Sequence, residues 1–365
     1  MAYLPLSTAN LPDPAINPAQ GSSPTDYFNT VLWTGDDVVG RSITGVGFQP
    51  DFSWVKCRNT ARNHGFWDAV RGAGYFLSSN LTDAETDRTT AGLTSFISDG
   101  FTVGAGSEVN NTGETYVGWN WKANGSGVSN TDGSITSTVS ANTESGFSIV
   151  TYTGVSGGGT VGHGLGAKPS CIIVKNRSQA DNWWIWHQGM ESSGENGEDY
   201  LFFTTAASAD DGYQYLANNS TTFTPQGTSK LMQDGGNFVA YCWSEIENFS
   251  KFGSYTGNGN ADGSFVYTGF RPAFVLIKRT NAASNWLMYD TKRNTYNLVN
   301  YKLFADTSTA ENVSDPAGVS ISSNNIDILS NGFKHRNADS WTNQSGDTYI
   351  YMAFAENPFK YSNAR

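Results

Sequence analysis

Gly47-Phe48-Gln49-Pro50-Asp51-Phe52-Ser53-Trp54-Val55-Lys56 is the stretch that decides the fold, because the chain repeats its pattern three times. The second copy runs from Gly166 through Pro169 and Cys171-Ile172-Ile173-Val174 to Lys175. The third runs from Gly269 through Pro272 and Phe274-Val275-Leu276-Ile277 to Lys278. Each lysine stands six residues after its proline. A run that is apolar on both faces reads as a central strand, covered above and below. The lysine then marks the point where the strand reaches solvent, its stem lying on apolar neighbours.

A second motif keeps the same register. Trp33-Thr34-Gly35, Tyr152-Thr153-Gly154 and Tyr255-Thr256-Gly257 each place their aromatic residue 17 positions before the proline. Two motifs held at one spacing in three copies are the mark of an internal repeat. After each lysine a polar turn ends in Asn63, Asn182 or Asn285, and a second apolar run follows, so the pair reads as an antiparallel hairpin. Copies one and three continue as Asp68-x-x-Arg71 and Asp290-x-x-Arg293, whereas copy two has His187 and Met190 at those places. A closing strand ends each copy, around Trp119, Tyr241 and Met352.

The fold class is therefore all-β: three tandem antiparallel β-sandwich units of lectin-like or jelly-roll type, over residues 26–123, 146–247 and 248–361. Residues 124–145, rich in Gly, Ser and Thr, read as a linker or a polar hairpin. Residues 1–25 contain Pro5, Pro12, Pro14, Pro18 and Pro24, which rule out a helix or a central strand and suggest a docking arm.

Composition narrows the function. The net charge is −11 and no basic stripe is visible, which argues against nucleic-acid binding. Three cysteines in 365 residues are no disulfide framework, and they fit folding in a reducing cytosol. The opening Met1-Ala2-Tyr3-Leu4-Pro5 has neither the basic region nor the apolar core of a signal peptide. No apolar run is long enough to cross a bilayer, so membrane insertion is not expected.

Chemistry is sparsely signalled. His64, His163, His187 and His335 lie outside any metal-ligand spacing, and no nucleophile elbow or phosphate loop is present. Glu245 and Glu247 alternate after a strand, but Glu356 holds the same place in copy three, which marks the end of a buried run. No catalytic residue, metal or cofactor is therefore expected. Trp183, Trp184, Trp186 and His187 form the densest aromatic cluster. Alternation sends Trp183 to one face and Trp184 and Trp186 to the other. On this reading one ring reaches an outer face and stacks on a sugar or a partner, while the others fill the core.

The string from Gly47 to Lys56 is followed by Asp68-Ala69-Val70-Arg71-Gly72, Leu77-Ser78-Ser79-Asn80 and Asp99-Gly100-Phe101. Together these resemble a repeat of bacteriophage virion proteins, particularly of marine phages, of concanavalin A-like or tail-fibre-like type. Ser250-Lys251-Phe252-Gly253-Ser254-Tyr255 and Glu356-Asn357-Pro358-Phe359-Lys360-Tyr361 are similar to the same family, so the likeness covers nearly all of residues 26–361. The resemblance brings no catalytic residues. It implies a non-enzymatic structural protein of the virion, assembled in the host bacterial cytoplasm. The role it implies first is a tail fibre or tail appendage that adheres to host surface polysaccharide. Such a protein would join other virion proteins through its N-terminal arm and form a homo-oligomer, with a trimer favoured. A capsid decoration or head-fibre protein anchored by the arm is the alternative, and a polysaccharide-degrading enzyme the third.

Overall fold

Both repeated motifs begin or end on a glycine for a physical reason. The Gly-x-x-Pro step enters its strand through a left-handed residue, with φ of +87° at Gly47, +69° at Gly166 and +85° at Gly269. The Thr-Gly step ends a strand where another backbone crosses it. A Cβ at Gly35, Gly154 or Gly257 would lie 2.1, 2.2 or 2.2 Å from the carbonyl oxygen of Asn111, Gln233 or Gln344. This computed structural model describes residues 11–190, 199–203, 216–226, 230–311 and 325–362.

The same strand order appears in three large antiparallel sheets. In copy one it is Phe28–Thr34, Thr115–Trp121, Phe52–Cys57, Gly65–Asp68. In copy two it is Phe147–Thr153, Asn237–Trp243, Cys171–Asn176, Trp184–His187, Leu201–Phe202. In copy three it is Ser250–Thr256, Thr348–Pro358, Phe270–Arg279, Leu287–Asp290, Leu303–Phe304. The hairpins share one register, pairing Phe52 with Asp68, Cys171 with His187 and Phe274 with Asp290. Each copy adds a three-stranded sheet, again in one order: Arg41–Thr44, Gly100–Val103, Leu93–Ile97; Val161–Gly162, Thr222–Pro225, Leu216–Asn218; and Phe265–Tyr267, Gly332–His335, Ile326–Leu329.

Both faces of each large sheet are covered, which is why the Pro-to-Lys run is apolar throughout. One face packs on the copy's own small sheet: in copy one Trp33, Val55, Trp67 and Tyr116 meet Ile43, Phe101 and Val103. The opposite face looks toward the other two copies. Phe52, Trp54 and Trp121 share a single core with Phe147, Tyr241 and Trp243 of copy two and Phe274 and Phe354 of copy three. Trp121, Trp243 and Phe354 occupy equivalent strand positions, and the Trp121 ring lies 6.2 Å from Trp243 and 5.4 Å from Phe354.

Three sequence expectations change. The motif lysines do not reach solvent: Lys56, Lys175 and Lys278 are wholly buried. Of the two readings of 124–145, linker or polar hairpin, the hairpin stands and the linker falls, since Val128–Asn130 and Ser137–Asn142 pair at the edge of the copy-two sheet. The described part of the Pro-rich arm docks on its own chain. Ile16 enters the common core, Lys360 donates to Leu11 O and Asp13, and Tyr361 donates to Asn17. Pro14 is buried there, Pro12 exposed and Pro18 between the two, while Pro5 lies outside the described residues. Among the described residues no helix is long and apolar enough to cross a membrane.

Candidate functional site

The cluster expected to offer a stacking surface is buried. Trp183, Trp184, Trp186 and His187 are 2%, 6%, 0% and 3% exposed, so none presents a ring face to solvent. The alternation itself holds, because Trp183 faces the common core while Trp184 and Trp186 face the interior of copy two. Trp184 and Trp186 are buried under copy two's own small sheet, whereas Trp183 is buried because the opposite face is covered by neighbouring copies, which the local pattern does not encode.

Trp183 belongs instead to a ring of contacts that closes the three copies on one another. Its Nε1 donates to Ser78 O of copy one at 2.7 Å. The equivalent residue of copy three, Trp286, donates from Nε1 to Phe202 O of copy two at 2.8 Å. The equivalent residue of copy one, His64, bonds through Nε2 to Phe304 O of copy three at 2.8 Å. The three acceptors are themselves equivalent, each following the leucine (Leu77, Leu201, Leu303) that pairs with the hairpin strand. Copy two thus grips one, one grips three, and three grips two. A cyclic series of equivalent contacts describes three lobes around one axis, within a single chain.

A second layer lies beside it. In copies one and three, Arg71 and Arg293 turn back on Asp68 and Asp290, whose other oxygens accept from the arginines' own backbone N–H. Each aspartate also accepts across a seam, Asp68 from the Tyr241 hydroxyl at 2.7 Å and Asp290 from Trp119 Nε1 at 3.1 Å. Glu85 joins Arg71 to Arg177 of copy two, and Glu311 joins Arg293 to Arg58 of copy one. Burial works against the Arg71 charge, but Asp68, Tyr241 and Glu85 hold it well above its ordinary pKa. The motif lysines reach the same seams. Lys56 Nζ donates to Ser308 O and Lys175 Nζ to Thr82 O of the neighbouring copy, while Lys278 Nζ donates to Ser284 O of its own copy. Burial pushes all three ammonium groups down to about 8.

The third seam is built differently. His187 stands where the aspartate would be and bonds through Nε2 to Tyr351 O of copy three at 3.1 Å. The residue facing it, at the place of Trp119 and Tyr241, is Met352, which has no proton to donate. Met190 replaces the turned-back arginine, and Thr280 replaces Arg58 and Arg177. The copy-two stretch matching Glu85 and Glu311 lies outside the described residues.

The groups that ordinarily carry chemistry are therefore buried parts of the frame. All four histidines and all three cysteines are buried. His64, His163 and His187 each bond a carbonyl through Nε2 and accept at Nδ1, from Trp54 Nε1, Leu165 N and Gly189 N. That tautomer is neutral on both counts. Glu245 pairs with Lys251 and Glu356 with Arg271, while Glu247 is exposed. Among the described residues no group of three or more His, Cys, Asp or Glu side chains is placed to hold a metal ion. One surface went unread in the sequence: Phe265 and Tyr267, which are 46% and 58% exposed on the edge strand of copy three. Their Phe-Val-Tyr alternation is the same signal that a buried strand gives.

A family profile described as "Domain of unknown function (DUF7483)" matches residues 23–358, and the chain belongs to that family. The match spans all three copies of this chain. No curated protein and no solved structure matches the chain.

Proposed function

We propose that this protein is a non-enzymatic structural component of a bacteriophage particle, a tail appendage that adheres to glycans of the host surface. The observation that carries the reading is the closed ring of seams. Histidines, lysines, arginines and carboxylates that could serve a reaction are committed to holding three lobes in one geometry. Such a frame presents outer sheet faces and loops on a rigid support, which suits recognition by surface. The resemblance of the Gly47–Lys56 repeat to phage virion proteins supports the setting. The reading takes one chain, in place of the three expected from the sequence, as the threefold unit. It places attachment to other virion proteins at the arm and the C-terminal segment that the arm grips through Lys360 and Tyr361.

The test is a cryo-electron-microscopy map of the intact particle. Three-lobed density on the tail, with the arm side turned inward, is the expected result. The same density on the icosahedral shell overturns the tail reading in favour of capsid decoration. Release of oligosaccharides from host polysaccharide by the purified chain overturns the non-enzymatic reading.

A further inference from the structure

Three copies of one scaffold provide an internal control for each surface. In every copy the first strand of the small sheet buries an aliphatic residue, Ile43, Val161 or Val266, opposite a phenylalanine, Phe101, Phe223 or Phe333. In copies one and three the residues on either side point outward, Ser42 and Thr44 in copy one but Phe265 and Tyr267 in copy three. In copy two that face is covered: Gly162 is buried, and a Cβ there would lie 1.7 Å from Asn130 Oδ1. The scaffold does not require aromatic rings at these places, because copy one leaves the same face open with Ser42 and Thr44.

The surroundings of the two rings are specific. Gly332 lies directly across from Tyr267, and a Cβ there would come within 3.1 Å of Phe265 Cε2. The Phe265 ring therefore reaches over the glycine and rests against the sheet, leaving its other side open. Lys334 pairs across the strands with Phe265 and holds Asp262 at 2.6 Å, while Arg336 approaches Asp262 at 3.5 Å. Fixed donors and an acceptor thus stand at the edge of the ring. Beyond Tyr267 a groove of about 150 Å³ opens between Glu247, Lys360 and the arm prolines Pro12 and Pro14. The bonds from Lys360 to Leu11 O and Asp13 hold that wall in place.

A ligand for this face needs an apolar side to lie on a ring and a rim of hydroxyls to meet charges, which describes a pyranose. Alternate residues of a strand stand roughly 6–7 Å apart, a spacing that serves two successive sugars of a chain. A protein partner would call for a broader apolar patch, of about several hundred Å². Here the apolar part is two rings bordered at once by charge.

We infer that the outer face of the copy-three small sheet is a saccharide-binding site, in which Phe265 and Tyr267 stack on successive sugar rings and Asp262, Lys334 and Arg336 bond their hydroxyls. The inference rests on the adhesion reading above and locates it. The test uses the full chain on a printed array of bacterial O-chain and capsular polysaccharides, with Phe265→Ala, Tyr267→Ala, the double variant and Asp262→Asn, and Ser42→Ala as control. Both rings are exposed, so the thermal midpoint should be unchanged in every variant. The wild type should bind at least one polysaccharide, each single alanine should weaken that binding about tenfold, and the double variant should lose it. Ser42→Ala should bind as the wild type does. Undiminished binding by the double variant overturns this site and leaves adhesion standing. Silence of the wild type across the array overturns adhesion and the site together.

Discussion

Two of the three seams are built on a buried Asp-x-x-Arg turn and the third, among the described residues, is not, and the contrast shows how a repeat can change without opening the ring. At the two-to-one and one-to-three seams an Asp-x-x-Arg turn is buried, answered by a donor from the next copy and tied by a glutamate to a second arginine. At the three-to-two seam four members of that set are different. His187 replaces the aspartate, Met352 the donor, Met190 the turned-back arginine and Thr280 the second arginine. A lone change would have left a buried charge or donor without a partner, which costs far more than the pair contributes. The substitutions are matched across the seam, and the common core remains continuous through Met190 and Met352.

The sharpest way to break the comparison is to remove one arginine from a charged seam. Arg71→Met leaves Asp68 buried without its cation and Glu85 with Arg177 alone, and should cost about 3–5 kcal/mol, seen as a lower midpoint in urea. Arg293→Met should behave alike, whereas Met190→Leu at the third seam should stay below about 1.5 kcal/mol. Equal losses at all three places would mean that the seams do not differ in kind.

A smaller effect sharpens the contrast by importing one chemistry into the other. His187→Asp sets a carboxylate against Tyr351 O with Met352 facing it, and should cost about 3 kcal/mol. Adding Met190→Arg rebuilds the local Asp-x-x-Arg turn and should recover more than half of that loss, as a double-mutant cycle would read it. Strictly additive losses would sink the idea that the turn is a self-contained unit.

The smallest effect is in acid, and it separates the seams by their histidines. Burial pushes His187 down to about 4 and His64 well below its ordinary value, with burial lowering His163 and taking His335 to about 3. Between pH 6.5 and about 4 the unfolded chain therefore binds protons that the folded chain refuses. The histidines' contribution to stability is full above pH 6.5 and is lost as pH falls, by about 1.4 kcal/mol per pH unit for each histidine kept neutral. The thermal midpoint should drop over this range, and His187→Gln should flatten part of the drop. The two-to-one seam carries tryptophan and aspartate at these places, so it adds no histidine to this slope. An unchanged slope in His187→Gln would show that this histidine is protonated in the fold.

Much of the frame is legible in the order of residues alone. The spacing of Trp33, Tyr152 and Tyr255 from their prolines, the hairpins after each lysine and the two-sided apolar runs belong to local geometry: strand alternation, a left-handed glycine, a backbone crossing that excludes a side chain. These depend on neighbours a few residues away, so the sequence alone determined an all-β chain of three like units. What faces what was decided only by the tertiary structure. Lys56, Lys175 and Trp183 look like residues bound for solvent or a ligand until a neighbouring copy covers them. Phe265 and Tyr267 look like core until the edge strand turns them outward. The physical reason is the same in each case. A side chain's type fixes what it can bond, but burial and partnership are set by surfaces that meet only when segments some 100 to 250 residues apart, such as Trp183 with Ser78 and Lys56 with Ser308, come together around the common core.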